Sequence, residues 1–78
     1  MIVYVLRSRG FPKRYYVGRT HDLDRRLEEH NAGLCESTFR FRPWVVEVSV
    51  WFRDELKATE FERYLKGGSG RAFARRHF

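Results

Sequence analysis

Two β-rich runs on either side of a turn constrain this chain more than any other feature. Ile2 to Arg7 is apolar and β-rich, Gly10-Phe11-Pro12 is turn-prone, and Tyr15-Tyr16-Val17 resumes strand character. The first eighteen residues therefore predict a β-hairpin whose second strand ends at Gly18. Trp44 to Phe52 predicts a third strand, with Val46, Val48, Val50 and Phe52 on one face and Val45, Glu47, Ser49 and Trp51 on the other. Between hairpin and third strand, Leu23 to His30 predicts a helix with Asp22 as N-cap and Asn31-Ala32-Gly33 as its stop. A second helix is expected from about Asp54 to Lys66. Gly67-Gly68-Ser69-Gly70 should break it, with Arg71 to Phe78 as a short final helix. The expected fold is an α+β sandwich: a small three-stranded antiparallel sheet flanked by helices, in the order ββαβα with a short C-terminal helix.

With 78 residues there is room for one core, so residues 1–78 are expected to form a single domain. The apolar share, 42 %, and the aromatic share, 17 %, are large enough to argue against intrinsic disorder. The longest unbroken apolar run is Ile2 to Leu6, far below the roughly 20 residues of a membrane helix, and no basic-then-apolar leader follows Met1. A soluble, cytoplasmic protein with no membrane partner is the expectation. Cys35 is the sole cysteine, which excludes an internal disulfide and fits reducing conditions, and no CxxC or HExxH motif offers a zinc site.

Sixteen Lys and Arg against ten Asp and Glu give a formal charge of +6. No acid follows Glu62, whereas Arg63, Lys66, Arg71, Arg75 and Arg76 do, and Arg40 and Arg42 alternate with aromatics in Phe39-Arg40-Phe41-Arg42. The planar guanidinium suits bidentate phosphate contact, so the balance points to a polyanion, nucleic acid ahead of membrane. Many small soluble proteins are basic without a specific polyanionic partner, and charge alone leaves both readings open.

The helical wheel separates residues that look alike in sequence. At about 100 degrees per residue, Leu27 and His30 fall within about 40 degrees of Leu23 and Arg26 within about 60, while Arg25 points away. On the second helix Ala58, Phe61 and Leu65 form the apolar stripe. Glu62 lies about 40 degrees from Ala58, and Glu60 lies on the opposite side. A guanidinium and a carboxylate on the inner edges of two helices need partners, because an unpaired buried charge is costly. They form either a structural Arg26–Glu62 salt bridge or an open site in which Arg26 holds a phosphate and Glu62 a cation.

Val3-Tyr4-Val5, the stretch from Tyr16-Val17-Gly18-Arg19 through Arg26 and His30-Asn31, and Ala58 to Lys66 together resemble the GIY-YIG nuclease superfamily. The closest likeness is to its compact, domain-only bacterial branch, near the nuclease domain of the excision-repair incision subunit. The likeness covers nearly the whole chain. It joins two tyrosine motifs, an arginine eight residues after Gly18, a histidine four later and a downstream helical glutamate. Carried over by position, it implies Tyr4, Tyr16, Arg26, His30 and Glu62 as catalytic residues, Glu62 as the metal ligand, and Arg19 where the repair nucleases have a lysine. Val3 stands where many relatives have glycine, and no asparagine follows Glu62.

The activity implied by the resemblance is metal-dependent hydrolysis of DNA phosphodiesters, structure-selective and related to repair or recombination, with Mg²⁺ or Mn²⁺ as cofactor and a possible protein partner supplying target choice. Such chemistry needs a base for water, positive charge on the nonbridging oxygens and neutralisation of the leaving alkoxide. Tyr16, Arg26 and a cation on Glu62 fill those roles, with Tyr4 and His30 orienting them; His30 is the alternative base. The expected nucleic-acid contacts are Arg19, Thr38, Arg40, Arg42, Lys66, Arg71 and Arg75. Phe39 and Phe41 either stack on unpaired bases or pack under the 31–43 connection, and Gly67 to Gly70 either cradle a phosphate or cap a helix. A non-cleaving nucleic-acid-binding domain and a basic partner-recruitment module are the competing readings.

Overall fold

A computed structural model describes residues 1–78 as β1 (Ile2–Ser8), β2 (Tyr15–Thr20), α1 (Leu23–Asn31), a 3₁₀ turn (Phe39–Phe41), β3 (Trp44–Trp51), α2 (Glu55–Lys66) and α3 (Gly68–His77). The three strands form one antiparallel sheet in the order β2-β1-β3. β1 is central and covered on both faces, so it reads as an unbroken apolar run rather than an alternating one. On one side Tyr4 and Leu6 meet Trp44, with Leu23 and Leu27 of α1 packed on them. On the other, Val3 and Val5 meet Ala58 and Leu65 of α2, with Phe73 and Ala74 of α3 beside them. Each such aliphatic side chain removed from water contributes about 1.5–3 kcal/mol, which makes β1 the spine of the domain.

Both expected N-caps are present. Asp22 accepts from the backbone N–H of Arg25 at 3.1 Å and Asp54 from that of Leu56 at 2.8 Å, each satisfying a donor that the first helical turn leaves without a partner. The stop after α1 works through Gly33, whose φ of +81° suits a residue without Cβ. Asn31 then ties the end of α1 to the start of β3, since its Oδ1 accepts from the Trp44 N–H at 2.6 Å and its Nδ2 donates to the Trp44 carbonyl at 3.0 Å.

Three expectations are corrected. Gly18 does not end β2, which runs on to Thr20; it lies opposite Tyr4 in the ladder, under the Tyr4 ring. A Cβ there would sit 2.5 Å from Tyr4 Oη, so the glycine marks a close approach rather than a turn. Val46 does not share a face with Val48. The ladder pairs Val5 with Val48 but Leu6 with Val46, so Glu47 is a bulge that turns Val46 to the Leu6 side, and Arg7 Nε holds the Glu47 carboxylate at 2.7 Å. The break before the last helix is Gly67 alone, with Gly68, Ser69 and Gly70 inside α3. Gly70 is buried against the Tyr64 carbonyl, where any Cβ would collide, and this lets α3 fold back tightly on α2.

Candidate active site

In the β1–β2 register Tyr4 lies opposite Gly18 and Leu6 opposite Tyr16. Side chains of paired residues leave the sheet on the same side, so both tyrosines face α1. His30, fully buried at the end of α1, meets them there: its ring is 5.9 Å from that of Tyr4 and 5.0 Å from that of Tyr16, edge-on in both cases. Tyr4 Oη is 3.0 Å from His30 Nε2, and His30 Nδ1 is 2.8 Å from Thr38 Oγ1. The direction of this chain follows from its far end. Thr38 Oγ1 donates to the Cys35 carbonyl, which only accepts, so Thr38 accepts from His30 Nδ1–H, and the bare Nε2 accepts the Tyr4 hydroxyl proton. Burial holds the imidazole below its ordinary pKa, helped by the nearby Arg26 charge and opposed by Glu29, so His30 is neutral. Burial also pushes the Tyr4 phenol up, against the pull of Arg26.

Arg26 lies at the mouth of this group. Its Nη1 donates to Glu29 Oε1 at 2.9 Å, and both side chains remain about one-third exposed, 36 % and 30 %. The Glu29 carboxylate, then the Tyr4 phenol, raise the Arg26 pKa, and Glu29 is correspondingly lowered by Arg26. The wheel correctly separated the two neighbours: Arg25 is largely exposed and pairs only loosely with Glu29 at 3.5 Å.

Glu62 is built into a different group. Arg19, next to Gly18 on β2, leaves the opposite face of the sheet and reaches α2, where its Nε is 3.3 Å from Glu62 Oε1 and its Nη1 donates to Thr59 Oγ1. Lys66 holds the other carboxylate oxygen at 3.2 Å. The Glu62 side chain keeps 16 % exposure. The Arg26–Glu62 salt bridge is absent: the two residues have separate partners on opposite sides of β2, and no hydrogen bond or ion pair joins the groups. β2 is an edge strand, so no further strand covers its outer side.

Of the remaining expected contacts, Thr38 is corrected. It is fully buried beneath the 3₁₀ turn and bonded to His30, so it has no surface to offer a nucleic acid. Arg40 and Arg42 are exposed, the former near the Phe39 ring and the latter across Gly33. Arg71 and Arg75 are exposed on α3, the helix layer opposite α1, and Lys66 is engaged by Glu62. Phe41 packs inward with Tyr4, Leu6 and Trp44. Gly67 to Gly70 are explained by the helix break and the Tyr64 contact. One residue of the site, Glu29, is absent from the sequence expectations, and another, Thr38, carries a different role. Glu29 was legible, because i,i+3 spacing from Arg26 makes a helical pair; the inward role of Thr38 had no local signal.

No group of three or more His, Cys, Asp or Glu residues converges anywhere in the chain. One carboxylate does not fit a metal enclosed by protein donors, but it fits a hard divalent ion that keeps most of its water.

A family model described as the GIY-YIG catalytic domain matches residues 1–76. The chain belongs to the GIY-YIG family. Among curated proteins it is similar to fungal relatives named "Structure-specific endonuclease subunit SLX1". It is 34 % identical to the one from Meyerozyma guilliermondii over 87 % of this chain and 28 % of the relative. It is 42 % identical to that of Cryptococcus neoformans over 76 % of this chain and 13 % of the relative, and 40 % identical to that of Scheffersomyces stipitis over 77 % and 20 %. The chain thus spans under a third of the length of these relatives. No solved structure matches. In GIY-YIG terms the first motif is Val3-Tyr4-Val5 and the second Tyr16-Val17-Gly18, which meet across the hairpin in the Tyr4–Gly18 and Val5–Val17 pairs. No helix is long and apolar enough to cross a membrane.

Proposed function

We propose that this GIY-YIG domain is a metal-dependent endonuclease that hydrolyses DNA phosphodiester bonds at structural features of DNA, in repair or recombination, with a protein partner choosing the target. The observation that carries the reading is the division of the tyrosine–histidine–arginine group and the glutamate between the two sides of one edge strand. In this reading the phosphodiester is gripped at the β2 edge, with the tyrosine–histidine–arginine group on one side and the glutamate on the other.

The chain's own residues supply most of the chemistry. Tyr4 is committed to His30 as a donor and sits in a dry environment that keeps its proton on, which makes it a poor base. Tyr16 is only partly buried, faces the same site and is the candidate general base. His30, buried and neutral, holds Tyr4 and backs the Tyr16 ring. Arg26 keeps guanidinium donors free of Glu29 and stabilises charge on the nonbridging oxygens. Glu62 would hold Mg²⁺ or Mn²⁺, whose chemistry there would be neutralisation of charge on the leaving oxygen. Arg19 and Lys66 screen Glu62 and hold its carboxylate in place.

That double engagement of Glu62 also favours a second reading, a domain that binds nucleic acid without cutting it. Incubation of the purified protein with labelled single-stranded, duplex, nicked and flap DNA, in Mg²⁺, Mn²⁺ or EDTA, separates the two. Metal-dependent cutting that prefers branched substrates, is abolished by Glu62→Ala and is retained by Glu60→Ala is the expected result. No cutting of any substrate, or equal loss in both variants, contradicts the nuclease reading.

A further inference from the structure

The cations of this protein fall into two classes. Arg7, Arg19, Arg25, Arg26 and Lys66 each pair with a carboxylate. The other eleven pair with none and are all exposed: Arg53, Lys57, Arg63, Arg71, Arg75 and Arg76 lie on or beside α2 and α3, and Arg9, Lys13, Arg14, Arg40 and Arg42 lie together at the opposite end of the sheet. Those five come from two segments far apart in sequence, the β1–β2 hairpin tip and the 3₁₀ turn before β3, and neither segment, 9–15 or 37–43, contains an acid.

The two segments are pinned together. Ser8, fully buried, donates through Oγ to the Phe41 carbonyl at 2.7 Å and accepts from the Phe11 N–H at 3.1 Å. The Arg9 N–H donates to the Pro43 carbonyl at 2.9 Å. The Phe11 ring stands edge-on to that of Phe41 at 5.2 Å, and the Arg14 guanidinium lies over the Phe41 face at 4.5 Å. Phe41 is anchored in the Tyr4–Leu6–Trp44 cluster, on the same face of the sheet as Tyr16 and His30. Phe41 is therefore occupied by neighbours and unavailable for stacking on a base; it holds the Arg14 guanidinium over its face while Arg14 remains exposed.

We propose that the hairpin tip and the 3₁₀ turn form one preorganised cationic platform that holds the phosphate backbone of a duplex arm next to the α1-side site. The proposal rests on the nuclease reading for the identity of the polyanion as DNA. The two segments that carry these cations are fixed in advance and lose little freedom on binding, and the absence of carboxylates means that no intramolecular partner must be displaced. Because the backbone is gripped and no base edge is read, the platform gives register without sequence preference.

The test compares two charge-matched double variants by binding to a blunt 20-base-pair DNA duplex in EDTA, across a salt series. Arg9→Gln/Lys13→Gln removes one arginine and one lysine from the platform, neither of which makes a side-chain contact that the fold needs. Arg53→Gln/Lys57→Gln removes the same charges at the other end of the sheet, beyond the Ile2–Trp51 pair and about 20 Å away at roughly 3.3 Å per residue. The platform variant should flatten the slope of log affinity against log salt by between one and about 1.8 units, and the distal variant by less than about half a unit. Thermal melts of both should match the parent. An unchanged slope in the platform variant, or an equal fall in both, overturns the platform. If the slopes separate as expected but no DNA is ever cut in Mg²⁺ or Mn²⁺, the platform stands and the nuclease reading fails.

Discussion

Arg26→Ala distinguishes a catalytic arginine from a structural one. In the structure its guanidinium pairs with Glu29, with both side chains about one-third exposed, so the interaction is largely screened by solvent. Truncation leaves Glu29 accessible to water and leaves the Tyr4 hydroxyl donating to His30, so no buried polar atom is orphaned. The stability cost is on the order of 1 kcal/mol or less, which for a domain of this size lowers the melting temperature by no more than about 4–8 °C. Cleavage should fall far more, by about 10²–10³, the usual loss when a donor to a developing oxyanion is removed. Arg25→Ala, which removes a largely exposed neighbour paired loosely with the same glutamate, is the matched control and should leave both quantities near the parent values. Thermal melts run beside single-turnover cleavage of a flap substrate give both numbers. A drop of about 15 °C or more for Arg26→Ala, with the specific activity of the folded fraction preserved, would refute the assignment.

Gly18→Ala should be costly, because its Cβ would fall 2.5 Å from Oη and 2.6 Å from Cζ of a buried Tyr4; about 1–3 kcal/mol is expected, whereas Gly10→Ala, which points into open space, should be near neutral in the same melts. Equal stability of the two variants would show that the Tyr4 ring is free to move. Thr38→Val removes the acceptor of His30 Nδ1–H, so nitrogen NMR of His30 should show the Nδ1–H tautomer in the parent and in Thr38→Ser but a mixture in Thr38→Val; unchanged shifts would contradict the hydrogen-bond direction. His30 is depressed in the fold, so the unfolded chain takes up the proton first: stability is complete above the unfolded value near 6.5 and declines as pH falls below it, at up to about 1.4 kcal/mol per pH unit. Melts between pH 7.5 and 5 should show that decline in the parent and a flatter profile in His30→Gln; parallel profiles would exclude His30 as the titrating group.

The sequence made the element types legible because the signals are local. Asp22 and Asp54 precede apolar helical stripes, and Tyr15 to Val17 answers Ile2 to Arg7 across a turn. Wheel geometry was enough to separate Arg26 from Arg25 and Glu62 from Glu60. What escaped was set by contacts between distant segments. Gly18 reads as a strand end until the Tyr4 ring is seen above it, and Glu47 reads as one step of an alternation until the β1 register shows the bulge. Thr38 has the composition of a surface loop, and only the docking of the 3₁₀ turn buries it against His30. The wheel measured how far Arg26 and Glu62 turn inward, but not that they turn toward opposite faces of one sheet.

That opposition has a consequence for how such a domain can be reused. Tyr16, Gly18 and Arg19 are near neighbours on a single strand, so the pleat of four residues decides which half of the site each strand residue joins, while the packing of α1 and α2 brings Arg26, His30 and Glu62 to it. The site is therefore not carried by that strand alone: chain added to the domain must leave the packing of both helices on the sheet intact for its chemistry to stay aligned.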